Sequence, residues 1–228
     1  MTLPASLFDR PFAHRGLWRS GGCPENSLAA FDAACRHGYG IELDVRLSAD
    51  GEAMVFHDDT LERLTAEAGL VEERSADELC ALRLLGSDQS IPTLEAVLAA
   101  IGERAPILVE LKTPEGQEGL LERRVADLLA GHNGPVALLS FNPLALAWMA
   151  GHAPHLPRGL NAKTEAELTG ASLAHADFLS VAAGLASNPA VQAWRKDGVA
   201  ACWTVRSAAE ATRLKPLVDQ IIFEGFEP

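Results

Sequence analysis

The 228 residues, 48% hydrophobic and 22% charged, suffice to bury one sizeable core, so a single domain over residues 1–228 is expected. Lys plus Arg number 19 against 31 Asp plus Glu, a formal net charge of −12 that argues against nucleic-acid binding and leaves any anionic substrate dependent on local cations or a metal. Cys23, Cys35, Cys80 and Cys202 form no C-x-x-C pair, the N-terminus shows no charged-then-apolar leader, and no apolar run reaches the ~18 residues of a membrane span, so a cytoplasmic protein without integral membrane association is expected.

In chain order, strand-length apolar runs fall at Phe12–His14, Ile41–Arg46, Ile107–Lys112, Val136–Phe141, Arg158–Asn161, Phe178–Val181, Ala200–Val205 and Gln220–Phe223. Helix-like stretches separate most of them: Ser27–His37 behind Asn26 as cap, Leu94–Ile101 behind Thr93, Gly116–Ala130, Leu144–Gly151, Pro189–Lys196 and Ala208–Leu214. The span from Asn161 to Phe178 is the least clear. Eight strands with helical crossovers predict an α/β fold, a closed parallel (β/α)8 TIM barrel, which typically takes roughly 250 residues. The alternative is an open doubly wound sheet, but no G-x-G-x-x-G follows the first strand.

The connection between Ile41–Arg46 and Ala53–Phe56 is too short for a helix, and Asp50-Gly51 signals a type I′ hairpin. With those two as the loop residues, His57 falls opposite Asp44, on the face that also carries Glu42. Thr60 to about Pro92 is a small excursion before the next helix, and hairpin and excursion together, about residues 47–92, form a small insertion after the second strand.

Glu42 and Asp44 project from one face of an apolar strand, where two bare charges would be very costly to bury. Oxygen donors of this kind suit Ca²⁺ or Mg²⁺ better than zinc. Glu110, one strand on, adds a third carboxylate, and Lys112 on its face a phosphate contact. An ion pair at a strand end explains any one carboxylate; three on adjacent strands point to a metal. His14 and His57 fall at the same C-terminal rim, where such barrels carry their chemistry, and read as general acid and base. Arg15 offers a planar fork for phosphate, with a surface ion pair as the plainer reading. Asn26 is accounted for as a helix cap; Glu25 either complements the helix N-terminus or supports Arg15 or a histidine from behind.

Ala13-His14-Arg15-Gly16, Pro24-Glu25-Asn26-Ser27, Glu42-Leu43-Asp44-Val45, Phe56-His57-Asp58, Glu110-Leu111-Lys112, Ser140-Phe141 and Cys202-Trp203-Thr204-Val205, in this order, resemble the glycerophosphodiester phosphodiesterase family. The resemblance implies a TIM barrel in which the excursion is a reduced form of the family's insertion. It also implies hydrolysis of glycerophosphodiesters to glycerol 3-phosphate and an alcohol, assisted by a divalent cation. It makes His14 and His57 the acid/base pair, Glu42, Asp44 and Glu110 the metal ligands, and Arg15 and Lys112 the phosphate contacts. Trp203 matches a residue lining the substrate pocket, which Phe141 is expected to share.

Two places depart from the family's pattern. Arg206 stands where the seventh barrel strand usually ends in Asn, and Phe223-Glu224-Gly225-Phe226-Glu227-Pro228 replaces a small polar residue, Asp or Asn, an aromatic and Pro after the eighth. Both bear on the glycerol and alcohol pocket. With no chain after Pro228 to form a closing helix, an apolar groove would need a cover, either the segment Met1–Arg10 through Leu3, Leu7 and Phe8 or a second subunit, and a homodimer is the expectation. Three other functions compete. A non-catalytic phosphodiester-binding barrel is set against the matched histidines and carboxylates. A sugar-phosphate isomerase wants a Gly-rich phosphate loop, of which Arg206-Ser207 and Glu224-Gly225 are poor versions. A lysophospholipase D-like member of the same family needs an apolar acyl channel, to which Trp18, Phe141 and Trp203 would contribute.

Overall fold

A computed structural model describes Leu3, Pro4 and residues 6–228. The apolar runs become strands β1 (Phe12–His14), β2 (Gly40–Leu47), β4 (Ile107–Leu111), β5 (Val136–Ser140), β6 (Arg158–Ala162), β7 (Phe178–Ala182), β8 (Val199–Val205) and β9 (Gln220–Phe223). These eight pair in parallel, and β1 lies between β2 and β9, so the sheet closes into the expected barrel. The ninth strand, β3 (Ala53–Val55), pairs antiparallel with the end of β2.

Helices α2 (Leu28–Arg36), α4 (Leu94–Ile101), α5 (Leu120–Leu129), α6 (Pro143–His152), α8 (Pro189–Trp194) and α9 (Ala208–Leu214) fall where the sequence pattern puts them. Their starts have local causes: Asn142 and Asn188 cap helices that open on a proline, which has no N–H to leave unsatisfied there. One cap is corrected. Ser27, not Asn26, caps α2, its Oγ accepting from Ala30 N at 3.2 Å. Short helices α1 (Trp18–Gly21), α3 (Ala76–Ala81) and α7 (Gly170–Leu173) complete the set, α7 lying in the connection the sequence left least clear.

The hairpin register also differs by one residue from the expected pairing. Val45 pairs with Val55 and Leu47 with Ala53, so Asp44 meets Phe56, whose N–H donates to its carbonyl at 3.0 Å. A type I′ turn needs positive φ at both loop residues, and Asp50 does not adopt it. The loop holds three residues, with Gly51 alone at φ +86° and Ser48 N bonded to Glu52 O at 2.9 Å. His57 therefore lies just past β3, at a bend after the ladder ends. The insertion builds its own small core from Met54, Phe56, Leu61, Leu64, Val71, Leu79, Leu84 and Ile91.

Inside the barrel the floor is apolar. Leu7, Phe12, Leu108, Ala137, Leu139, Phe178 and Ile222 form one buried cluster, with Phe8 edge-on to Phe12 and Phe178 at 5.8 and 5.0 Å. The two rings fit because Gly40 and Gly159 face them; a Cβ there would stand 2.6 Å from Phe12 and 2.4 Å from Phe178. The N-terminal segment thus plugs the floor instead of covering the groove beside β9; of that segment, Met1, Thr2 and Ala5 lie outside the described residues. The groove itself, about 420 Å³, is lined by Ala208, Ala211, Val218, Ile221 and Pro228.

Candidate active site

Alternation along the strands turns the residues two apart from the floor layer toward the C-terminal mouth. His14, Glu42, Asp44, Glu110, Lys112, Phe141, Asn161 and Trp203 line one cleft of about 190 Å³, together with Arg15, His57, Lys163 and Arg206. Every residue expected in the site reaches this cleft except Glu25, which stands behind Arg15. His57 arrives by the bend after β3, not by the cross-strand pairing expected for it.

The carboxylates of Glu42, Asp44 and Glu110 each offer an oxygen, and the three oxygens lie within 4.8 Å of one another, buried. Asp44, 1% exposed, is held by Lys112 Nζ at 2.9 Å and Asn26 Nδ2 at 2.9 Å, with Arg15 Nε 3.3 Å away as a charge contact lacking hydrogen-bond geometry. Burial opposes its charge, but Lys112 and Arg15 outweigh that and hold its carboxyl well below the ordinary carboxylate range. Among the described residues Glu42 accepts only the Arg15 backbone N–H, at 3.1 Å. Burial and the facing charges of Asp44 and Glu110 push its carboxyl well above that range. Glu110 is raised for the same reason, chiefly burial, although Lys112 bonds one oxygen and Asn161 Nδ2 the other at 3.0 Å.

Arg15 sits at φ 58°, a left-handed backbone that turns its amide onto Glu42 and its guanidinium onto Glu25, 2.7 Å away. Glu25 also takes both terminal nitrogens of Arg63, at 2.7 and 3.0 Å. Of the two options left open for Glu25, complementing a helix N-terminus or supporting Arg15 or a histidine from behind, its bonds to Arg15 and Arg63 fit the second, on Arg15. Arg63 carries on to Asp58, which accepts from His57 Nδ1 at 2.6 Å and is held down at about 2. Burial, with Lys112 and Arg15 nearby, lowers the pKa of His57 despite Asp44 and Asp58. His14 has a carboxylate of its own: Nδ1 lies 2.7 Å from Glu224 Oε2, while Nε2 is 4.0 Å from Glu42 Oε2.

Residues outside the expected set thus touch the site, among them Asn26, Asn161, Lys163, Arg206 and Glu224. Asn161 and Lys163 carry a legible signal, the inward alternation of β6. Lys163 Nζ lies 4.9 Å above the Phe141 ring, which meets Trp203 edge-on at 5.5 Å. Arg15 Nε, Asn161 Oδ1 and Trp203 Nε1 are buried with no hydrogen-bond partner among the described residues, and all three residues line the cleft.

Fold and site together define a (β/α)8 barrel whose polar machinery is gathered at the C-terminal mouth. The chain belongs to the glycerophosphoryl diester phosphodiesterase family, which it matches over residues 14–224. It is 31% identical over 197 residues to a glycerophosphodiester phosphodiesterase of Bacillus subtilis (strain 168), covering 75% of this chain and 66% of that protein. A glycerophosphodiester phosphodiesterase of Caldanaerobacter subterraneus is 34% identical over 160 residues, 65% of this chain and 64% of its own. The aligned parts of such curated relatives span from 33% to 68% of their length. An Oleispira antarctica phosphodiesterase, solved in complex with the product sn-glycerol-3-phosphate, superposes with a TM-score of 0.86 at 28% identity, over 96% of this chain and 94% of that one. Among the described residues no helix is long and apolar enough to cross a membrane.

Proposed function

We propose that residues 1–228 act as one domain that hydrolyses glycerophosphodiesters to glycerol 3-phosphate and an alcohol, in the cytoplasm and with a divalent cation. The observation that carries this is the convergence of Glu42, Asp44 and Glu110 between two histidines at the barrel mouth. The donor set fits Ca²⁺ or Mg²⁺: three carboxylate oxygens, two of them on groups whose charge the chain itself leaves poorly compensated. Bound there, such a cation supplies Lewis-acid stabilisation of a phosphoryl oxygen.

The chain's own residues do the rest. Arg15, whose Nε–H makes no hydrogen bond beside its ion pair with Asp44, and Lys112 hold the phosphate and spread the charge of the phosphorane-like transition state. One of His14 and His57 takes the proton from the attacking hydroxyl, the other protonates the departing alkoxide. Phe141 and Trp203 form an aromatic wall for the glycerol or the alcohol, and Glu25 braces Arg15.

The test is a panel of phosphodiesters assayed with and without EDTA, scoring glycerol 3-phosphate and lysophosphatidic acid. EDTA should abolish turnover with the fold intact, and Ca²⁺ or Mg²⁺ should restore it; full activity in excess chelator would overturn the metal. One feature favours a second reading, the lysophospholipase D-like one. A groove of about 740 Å³ leads from the cleft with Pro114, Phe141, Pro143 and the half-exposed Leu144 along it, apolar contacts for an acyl chain among charged neighbours such as Arg46, Asp59 and Lys163. Lysophosphatidic acid as the main product selects it. The expected second subunit would cover the groove beside β9, and a monomer at high concentration in sedimentation equilibrium removes it.

A further inference from the structure

We propose that Glu224 is a positioning residue for His14, fixing its ring and its tautomer so that Nε2 is the atom that exchanges protons with substrate. The inference rests on the reading of His14 as an acid/base group and adds a residue to that machinery. Closure of the barrel makes the contact: Ala13 pairs with Phe223 across β1 and β9, so His14 and Glu224 follow as neighbours on the inward face. The carboxylate is 8% exposed and its two oxygens divide the work. Oε2 meets His14 Nδ1 at 2.7 Å, and Oε1 faces Arg19 at 3.2 Å and Arg206 at 3.7 Å. Its backbone N–H, donating to Val205 O at 2.9 Å, pins it to the end of β8.

The chemistry follows from the charges. Glu224 is held at about 2, first by the His14 hydrogen bond, with Arg206 and Arg19 adding to it, so it remains an acceptor. A neutral imidazole with its lone pair on Nδ1 would set that lone pair against a carboxylate oxygen; the arrangement demands Nδ1–H. The lone pair then falls on Nε2, the nitrogen nearer Glu42 and the cleft. A proton enters and leaves at Nε2, and Glu224 neither gains nor loses one. Arg206 and the run Phe223–Pro228, which holds Glu224, are the two places where the sequence leaves its family's pattern, and here Arg206 and Glu224 lie 3.7 Å apart.

The experiment pairs kinetics with ¹⁵N NMR of the histidine rings on the full chain. Wild-type neutral His14 should show a proton on Nδ1 and a bare Nε2. Glu224→Ala should mix the tautomers and lower kcat by about 10- to 100-fold with KM within about twofold. Glu224→Gln, whose amide oxygen still accepts, should lose far less. In a His14→Ala background Glu224→Ala should cost nothing further. Unchanged kcat in Glu224→Ala, or an equal loss in the two backgrounds, overturns the proposal. Should Glu224→Ala not fold, the wild-type spectrum decides, since a proton on Nε2 of neutral His14 is incompatible with it. That spectrum needs no substrate, so a failure of the phosphodiesterase reading shows in the assays alone.

Discussion

The floor and the mouth of the barrel are built from the same strands two residues apart, yet they obey opposite rules. At the floor Phe12, Phe178, Ile222 and Leu7 fill space opposite Gly40 and Gly159, and among its members no charged group appears. At the mouth Glu42, Asp44, Glu110, Arg15 and Lys112 are nearly as buried but crowd charge on charge. The floor is packed for stability. The mouth keeps three carboxylates with oxygens within 4.8 Å of one another, an arrangement that costs stability until a proton or a cation neutralises it.

That contrast is open to test, the largest effect first. His57→Ala should lower the rate of diester hydrolysis by about 10²- to 10⁴-fold while barely moving the urea midpoint, because the side chain is one third exposed. Phe178→Ala should do the reverse, losing about 3–5 kcal/mol of stability with kcat per folded molecule unchanged. If both variants changed activity and stability alike, floor and mouth would be one cooperative site.

A subtler separation runs within the mouth. Glu42 has a folded-state pKa above its unfolded one, so its contribution is fully present below about pH 4.3 and is lost as pH rises through the folded value. In excess chelator Glu42→Gln should therefore unfold at a higher urea midpoint than wild type near neutral pH, with the gap closing in acid. Asp44, shifted down, has the opposite sign: its stabilisation is present above about pH 3.9 and fades as pH falls through the folded value, so Asp44→Asn should be the less stable variant near neutral pH. The smallest effect belongs to Arg206→Ala. Its guanidinium is 63% exposed, and its loss should move stability by no more than about 0.5 kcal/mol.

Most of the barrel was legible because an apolar run of four to six residues between amphipathic stretches, as at Ile107–Leu111, has few other uses. The site's outline was legible too, since inward carboxylates on such strands conflict with burial unless something neutralises them. What was illegible has physical causes. Asp50-Gly51 marks the hairpin but not its register, because Asp50 is free to keep a negative φ and shift the pairing by one. Asn26 and Ser27 are both cap-forming types, and nothing local tells which one caps and which reaches Asp44, 18 residues away. In the sequence Glu224 stands out only as a departure near the substrate pocket; its bond to His14 spans 210 residues and exists only once the ring closes.

The seam between β1 and β9 has a bearing on how the protein folds. Joining Phe12 to Ile222 and Ala13 to Phe223 closes the longest loop in the sheet, whereas β2 and β3 meet through a three-residue turn. The entropy of closure grows with loop length, and non-local pairing slows folding. On a ribosome the strands up to β8 can assemble into an open arc, but His14 lacks its carboxylate until β9 has emerged and docked. The last seam to form is thus the one that orders a histidine of the cleft, so an incompletely folded chain carries an incomplete site.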